Sequence, residues 1–469
     1  MKCGIVGYGV VGKSFTKCLR SSGVAIKILQ SRCMQTSEPK LFVWDERVVD
    51  GVEPGITFVH GSEQSLKDFC NSMDVVLLSP GVPVPDDPGI NAKTFCELDL
   101  FTQLFKKKVI AITGSLGKTT TTAFTAHLFN LLSDGLPIAS GGNIGLPMLD
   151  LVPEQDKISG AGLELSSFQL ESASNFHPAA SALLTLSPNH LERHGSMEEY
   201  FLAKSRVLDV VSTGRSFVPA EAAHMVEGLK NYENLQWQLV FMCDDNVRPP
   251  ENSSWIAVRN GSVTLCERGG QPVRLCGVPE ISGIFPRTVC AAVGLLWAIG
   301  EDVGKLTLEH FRSAVCATIE EVGEHRIEFV GTVRGVKIYN DSKSTVVEAT
   351  TAALRRLSGR KVVLLVGGLG KGVDRSGKDA FWKSLGCVRE VVAFGGEAHV
   401  FSESVQCATL EEAVESGFSL AFPGDVLLLS PSGASFDLFS NYKERGKRFK
   451  ELVTKKLGER NGPRQCRKT

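Results

Sequence analysis

No segment of this 469-residue chain reaches ~18 uninterrupted apolar residues, which argues against a membrane span. The opening, Met1 to Gly7, reads as a strand running into a glycine turn, not as a charged region followed by a long apolar stretch, so no signal peptide is expected. Excess charge of either sign is missing as well. The 51 Lys and Arg residues stand against 52 Asp and Glu, a net charge of −1, so no global field recruits nucleic acid. Paired Cys-x-x-Cys ligands are absent: the 13 cysteines are scattered and odd in number, which free thiols in a reducing compartment explain best. No repeat or low-complexity tract occurs, although the tail Gly458 to Thr469 is polar and expected to fray. What remains is an ordinary globular composition, 43% hydrophobic and 22% charged, and the expectation of a cytoplasmic protein.

The chain is longer than one core usually holds, and a prior of about 100 to 200 residues per domain allows two to four domains. Strand-like apolar runs alternate with helical patterns nearly throughout: Cys3 to Val6, Val75 to Leu78, Val109 to Ile112, Ala182 to Leu186, Val362 to Val366, Val391 to Phe394 and Val426 to Leu429. That alternation predicts an α/β protein of parallel sheets wrapped by helices. Breaks near Phe105 to Lys108 and Glu324 to Glu328 give three expected domains, 1–107, 108–325 and 326–469. Short strand candidates split by turn residues between Asn246 and Gly277 read as a small β insertion.

The most telling stretch is Ala111-Ile112-Thr113-Gly114-Ser115-Leu116-Gly117-Lys118-Thr119-Thr120. A buried strand ends there and a helix over Thr120 to Leu132 begins, so the glycines fall at a strand-to-helix turn. Backbone N–H groups at such a turn are free to point at phosphate oxygens, the helix N-terminus adds its positive end, Lys118 supplies a point charge, and the Thr119 hydroxyl can ligate magnesium. The spacing, Gly-x-x-Gly-Lys-Thr from Gly114, is shorter than the strict triphosphate motif, which would need glycine where Ile112 stands.

Other loops follow strands in the same way. Gly7-Tyr8-Gly9-Val10-Val11-Gly12 matches the dinucleotide fingerprint, but the acidic residue expected about 20 residues on is missing and the nearest candidate is Asp45. An NAD-dependent oxidoreductase is disfavoured on that ground. Ser79 follows the strand Val75 to Leu78, at the edge where open α/β sheets bind ligands. Glu164 ends a strand in Gly162-Leu163-Glu164-Leu165-Ser166-Ser167 and is a candidate magnesium ligand, since hard cations take oxygen. His190, in Ser187 to Gly195, is a metal ligand, a substrate contact or merely a solvated loop histidine. Lys204, within the helix-like Glu198 to Leu208, has the surroundings of a surface residue. Farther on come Glu324-His325-Arg326, the polar run Tyr339 to Thr345, a second glycine turn Gly367-Gly368-Leu369-Gly370-Lys371-Gly372, and Ser430 to Asp437.

Taken in order, Thr113 to Thr119, Gly142-Asn143-Ile144-Gly145, Leu163 to Leu170, His190 to Tyr200 with Ala203-Lys204, His325-Arg326, Asn340 to Thr345 and Ser430 to Tyr442 resemble the Mur ligase family across essentially the whole chain. These are ATP-dependent enzymes that form amide bonds in peptidoglycan precursor synthesis. The run Asp341-Ser342-Lys343-x-Thr345, with no Asp-Asn-Pro-Arg motif, resembles the branch that adds D-glutamate to UDP-N-acetylmuramoyl-L-alanine. The resemblance implies a Rossmann-like N-terminal domain that holds UDP without NAD, a central P-loop domain that holds ATP, and a Rossmann-like C-terminal domain for the amino acid.

The resemblance also implies residue roles. Gly9, Val10, Val11 and Ser79 would lie near the diphosphate, Asp45 and Arg47 near uracil, and Asn143 near the acyl substrate. Gly114, Ser115, Gly117, Lys118, Thr119 and Thr120 would hold the ATP phosphates, Arg326 the γ-phosphate and Asp341 the ribose. Two magnesium ions are implied, with Thr119 and Glu164 on one, His190 on the second, and a carbamylated Lys204 as a further oxygen ligand. Lys118, Glu164, His190, Lys204 and Arg326 would carry catalysis, and Thr345, Lys371, Ser435, Phe436 and Tyr442 would hold D-glutamate. A monomer is expected.

Four positions depart from the family pattern. Leu116 stands for asparagine, Val11 for Ser or Thr, and Asn189 for aspartate. Ile284-Phe285-Pro286-Arg287-Thr288 stands where the family has a His-Asn-x-x-Asn segment that helps hold adenine. A sister ligase with another acceptor, a folylpolyglutamate-type ligase, or a nucleotide-binding protein without catalysis are the rival readings. Retention of Lys118, Glu164, His190 and Lys204 argues against the last.

Overall fold

Val75–Leu78 and Val426–Leu429 contain only valine and leucine and are buried along their whole length, the pattern of strands covered on both faces. Such strands organise the protein into three mostly parallel sheets. The computed structural model describes residues 1–458 apart from 35, 50–51, 84, 244–246, 280–283 and 358. The polar tail 459–469 lies outside the described residues.

The first sheet has β1 (Lys2–Val6), β2 (Lys40–Asp45), β3 (Ile56–His60), β4 (Val75–Leu78) and β5 (Thr94–Cys96) in the order β3-β2-β1-β4-β5, all parallel. The order reverses at β1, so the carboxyl ends of β1 and β4 form the crevice where such sheets take ligands. Helix α1 (Val10–Ser21) follows β1, and a second helix, α2 (Gly23–Cys33), is interposed before β2.

The second sheet holds β6 (Lys108–Thr113), β7 (Ile138–Gly142), β8 (Gly160–Glu164), β9 (Ala180–Leu183), β10 (Arg215–Pro219), β11 (Leu239–Cys243), β12 (Ser254–Arg259), β13 (Ser262–Cys266) and β14 (Val273–Gly277). Their order is β14-β13-β12-β11-β10-β9-β6-β8-β7, parallel up to β12 and antiparallel beyond it. The strands expected as a small insertion therefore extend the central sheet. β12 pairs in parallel with β11 from Val240↔Ser254 to Cys243↔Ala257, because Trp255, Ile256 and Ala257 continue an apolar edge. Helix α3 (Lys118–Leu132) starts two residues earlier than expected and α4 (Pro286–Ala298) packs beside it, with the Thr121 and Thr288 hydroxyls 3.4 Å apart. The strand expected over 182–186 ends at Leu183, after which Leu184 N–H still donates to Thr113 O at 2.9 Å.

The third sheet holds β15 (Glu328–Val333), β16 (Val336–Asn340), β17 (Val362–Gly367), β18 (Val388–Phe394), β19 (Val405–Cys407) and β20 (Val426–Leu429) in the order β15-β16-β20-β17-β18-β19, with only the β15–β16 pair antiparallel. The chain divides into two compact units, Met1–Leu186 with Glu198–Thr318, and Ser187–Met197 with Ile319–Thr469. The first two sheets belong to the first unit and the third to the second. Among the described residues no helix is long and apolar enough to cross a membrane, and the cysteines are free thiols.

Candidate active site

In the first unit, β6 ends at Thr113 and α3 begins at Lys118, which leaves a tight turn with Gly114 at φ +145° and Gly117 at φ +85°. A side chain at Gly114 would bring its Cβ to 3.0 Å from Thr185 N, so the turn tolerates only glycine there. Ser115 N–H donates to Thr185 O and Leu116 N–H to Thr185 Oγ1, each at 2.8 Å, which pins the turn to the strand end beside it. The Leu116 departure thus costs no backbone donor; its N–H is a structural bond. Lys118 Nζ donates to Gly114 O at 2.9 Å and Ser115 O at 3.3 Å, and the Ser115 and Tyr200 hydroxyls are 3.1 Å apart.

Glu164 closes β8, paired in register with Ile112 of β6, and is 2% exposed. Asn143 Nδ2 donates to Glu164 Oε1 at 2.8 Å, whereas the buried Oε2 has no hydrogen-bond partner. An anionic oxygen buried without a donor is costly, and a hard cation is the group that would satisfy it. Lys204 is 2% exposed, not a surface residue: its amine donates to Thr113 Oγ1 at 3.2 Å and Gly114 O at 3.1 Å. Burial, and then the charge of Lys118, push its pKa well below the ordinary lysine value, with Glu164 partly opposing them. Lys204 belongs to the helix Met197–Ser205, which is shorter than the expected span and is followed by a single 3-10 turn, Arg206–Leu208. Among the described residues no three His, Cys, Asp or Glu side chains gather as a metal-binding group.

The same unit carries the Gly7 to Gly12 turn. A Cβ at Gly12 would meet Gly7 O at 2.1 Å, which lets α1 approach β1 only with glycine there. Asp45, far along the sequence, closes β2 next to β1 because α2 occupies the intervening chain. Its carboxylate accepts from Tyr8 N at 2.8 Å and from Arg47 N at 2.9 Å. One N–H of the turn is therefore committed to Asp45. Ser79 Oγ donates to Gly7 O at 2.8 Å, so Gly9, Asp45 and Ser79 are gathered at one sheet edge, while Val10 is 68% exposed and Val11 half-buried. The segment that departs from the adenine motif caps α4: Ile284 is buried, Phe285 is 62% exposed, Arg287 pairs with Glu221, and Thr288 meets Thr121.

In the second unit, His190 adopts φ +56° and its Nδ1 lies 3.5 Å from Glu192 Oε1. Asn189 is buried, with its Oδ1 unpartnered. Asp341 is 7% exposed; its oxygens accept from Ile327 N at 3.2 Å and Ser430 Oγ at 2.8 Å, so it fastens the segment after Arg326 to the end of β20. Burial pushes its carboxyl up to about 7 against those hydrogen bonds. Lys371, at φ +54°, donates from Nζ to Thr345 Oγ1 at 3.1 Å. Ser435 is buried, Phe436 is 70% exposed, and Lys343 Nζ lies 5.6 Å from the Tyr442 ring centroid. Arg375, Glu397 and Arg445 were not singled out in the sequence. Arg445 Nη2 donates to Ser342 O at 2.8 Å and its Nη1 to Gly433 O at 3.1 Å. An arginine read in isolation looks like surface; only the folded loops show that Arg375 and Arg445 are buried.

A glycine turn between a parallel strand and a helix start, with a buried carboxylate and a buried amine beside it, is an arrangement suited to the phosphates of a nucleotide in an α/β enzyme. Residues 112–248 match the Mur ligase middle domain and residues 325–433 the Mur ligase glutamate ligase domain. The chain is 30% identical over 475 residues to the UDP-N-acetylmuramoylalanine–D-glutamate ligase of Thermoanaerobacter sp. (strain X514), covering 96% of this chain and 97% of that one. It is 32% identical over 471 residues to the ligase of the same name from Koribacter versatilis (strain Ellin345), covering 96% of each. Among solved structures, a pseudomurein peptide ligase type C from Methanothermus fervidus superposes with a TM-score of 0.54 at 17% identity, covering 97% of this chain and 99% of that one. A MurF ligase from Thermotoga maritima solved in complex with ADP gives 0.52 at 17% identity, covering 82% and 89%. These two speak for the fold alone. The chain belongs to the Mur ligase family and is an ATP-dependent ligase.

Proposed function

We propose that this protein adds D-glutamate to UDP-N-acetylmuramoyl-L-alanine at the expense of ATP, in the cytoplasmic assembly of peptidoglycan precursors. The observation that carries the reading is the cluster of Lys118, Glu164 and Lys204 around the phosphate turn, in a chain whose curated relatives bear that activity in their names. Residues 1–107 would bind the UDP substrate, 108–325 ATP, and 326–469 the amino acid.

A carboxylate is a poor electrophile at neutral pH. One oxygen of the L-alanyl carboxylate attacks the γ-phosphorus of ATP, the bond to the β-phosphate oxygen breaks, and ADP leaves with an acyl phosphate formed. The amine of D-glutamate, having lost its ammonium proton, attacks the acyl carbon; the carbon–oxygen bond to phosphate breaks, and inorganic phosphate departs with the amide in place. Gly114, Ser115, Gly117, Lys118, Thr119 and Thr120 cradle the phosphates, Arg326 offsets charge on the transferring group, and Asn143 orients the carboxylate. The orphaned oxygen of Glu164 fits a magnesium ion shared with Thr119, and His190 and Lys204 are candidates for a second. When bound, such ions supply Lewis-acid stabilisation of phosphoryl oxygens. Lys204, held towards its neutral amine, is suited to add to carbon dioxide with release of a proton, which would turn it into an oxygen ligand. Thr345, Lys371, Ser435, Phe436 and Tyr442 would hold D-glutamate.

The test is label transfer. UDP-N-acetylmuramoyl-L-alanine carrying oxygen-18 in its carboxylate should yield one labelled oxygen in the released phosphate and a product heavier by one glutamyl residue. Turnover that leaves the phosphate unlabelled rules the acyl-phosphate route out.

A further inference from the structure

We propose that Arg375 and Glu397 form a clamp that sets the turn bearing Lys371, and are positioning residues for the acceptor amino acid. The inference rests on the reading of Lys371 as the partner of an acceptor carboxylate. Lys371 is a non-glycine residue at φ +54°, flanked by Gly370 and by Gly372 at φ +74°. A backbone held in that region persists only where its surroundings over-determine it.

Val373 N–H closes the turn on Gly370 O at 3.0 Å, and one ion pair braces it from outside. Arg375 is 2% exposed and its guanidinium donates to Gly367 O at 3.3 Å and Gly368 O at 2.5 Å, both at the base of the turn. It also donates to Ser432 O at 3.4 Å on the facing loop and to Glu397 Oε2 at 2.6 Å. The same Glu397 oxygen accepts from Gly370 N at 3.0 Å, the peptide just before Lys371. Base and tip of the turn are thus tied to one charge pair, and Leu369 and Ala434 exchange two backbone bonds of 2.8 Å that seat the turn on the next loop. A Cβ at Gly370 would lie 3.1 Å from Arg375 Nε and 3.3 Å from Glu397 Oε2, so the chain passes close to the pair. With the turn so fixed, Lys371 Nζ reaches Thr345 Oγ1. Lysine could not replace Arg375, because a compact ammonium lacks the planar fork that spans these acceptors.

The full-length enzyme is assayed by phosphate release, varying D-glutamate at saturating ATP and uridine substrate. Arg375→Lys and Glu397→Gln should each raise the D-glutamate KM about tenfold, with kcat and the ATP KM within about twofold of the parent. Lys371→Ala should raise the same KM, and adding Arg375→Lys to it should raise it no further, since the clamp acts through Lys371. Equal rises in both KM values, a fall in kcat alone, or additive effects in the double variant overturn the clamp. An unchanged D-glutamate KM in Lys371→Ala overturns the clamp together with the reading it rests on, whereas a Lys371→Ala effect without one from Arg375→Lys or Glu397→Gln overturns the clamp alone. Should Arg375→Lys fail to fold, Glu397→Gln decides.

Discussion

Lys204 places an amine where burial and the charge of Lys118 make an ammonium ion costly, against Thr113 and Gly114. If Lys204 is carbamylated as proposed, its neutral amine takes up carbon dioxide, and activity of the parent enzyme should fall in carbon-dioxide-depleted buffer and return on adding bicarbonate. Lys204→Met, which keeps the side-chain volume, should lower kcat by at least ~100-fold with no response to bicarbonate. Its thermal midpoint should hold or rise, because no buried amine remains to be satisfied. Full activity of that variant would remove Lys204 from the chemistry. The same residue shows where sequence reading stops: its helix looks polar, and its burial follows from Thr113 and Gly114, some 90 positions away.

At the scale of elements, two packing contacts make predictions of stability. Gly294 of α4 lies against the Phe217 ring of β10, where a Cβ would come to 2.4 Å from the ring. Gly294→Ala should destabilise the protein by about 1–3 kcal/mol in urea unfolding, despite the better helix propensity of alanine. The helix Glu97–Leu104 opens on Glu97, 1% exposed, whose Oε1 accepts from Leu149 N at 3.3 Å. Burial raises its pKa from 4.5 to about 7, against the hydrogen bonds from the backbone of Leu149 and Met148, with Asp150 adding to the rise. Between those values the unfolded chain is ionised while the folded one keeps its proton. The stability Glu97 contributes is therefore full below pH 4.5 and is lost as pH rises to about 7. Asp341 titrates in the same sense. Glu97→Gln, which mimics the protonated form, should gain on the order of 1–3 kcal/mol over the parent between pH 5 and pH 8, read as the urea midpoint at each pH. A difference that does not change with pH would contradict the assignment.

Across the whole molecule, what was legible in the sequence was what is local. The all-aliphatic runs Val75–Leu78 and Val426–Leu429 are strands with the bounds read from the sequence, and the glycine turns after β1, β6 and β17 carry positive φ at Gly7, Gly114, Gly117 and Gly368. What escaped depends on pairing between distant segments. The strands Ser254–Arg259 to Val273–Gly277 look self-contained, yet they complete the central sheet. Residues 187–197 lie in the middle of the chain and pack with the second unit. Asp45 looked too far from Gly12, and α2 accounts for the distance. Arg375 gave no signal at all, since nothing in Val373-Asp374-Arg375-Ser376 marks a buried side chain. The central claim is the identity of the acceptor, and it is tested most directly by phosphate release from ATP with UDP-N-acetylmuramoyl-L-alanine, magnesium and single amino acids. The account predicts release with D-glutamate and little with L-glutamate, L-lysine, diaminopimelate or D-alanyl-D-alanine; release driven by any of the others in place of D-glutamate would contradict it.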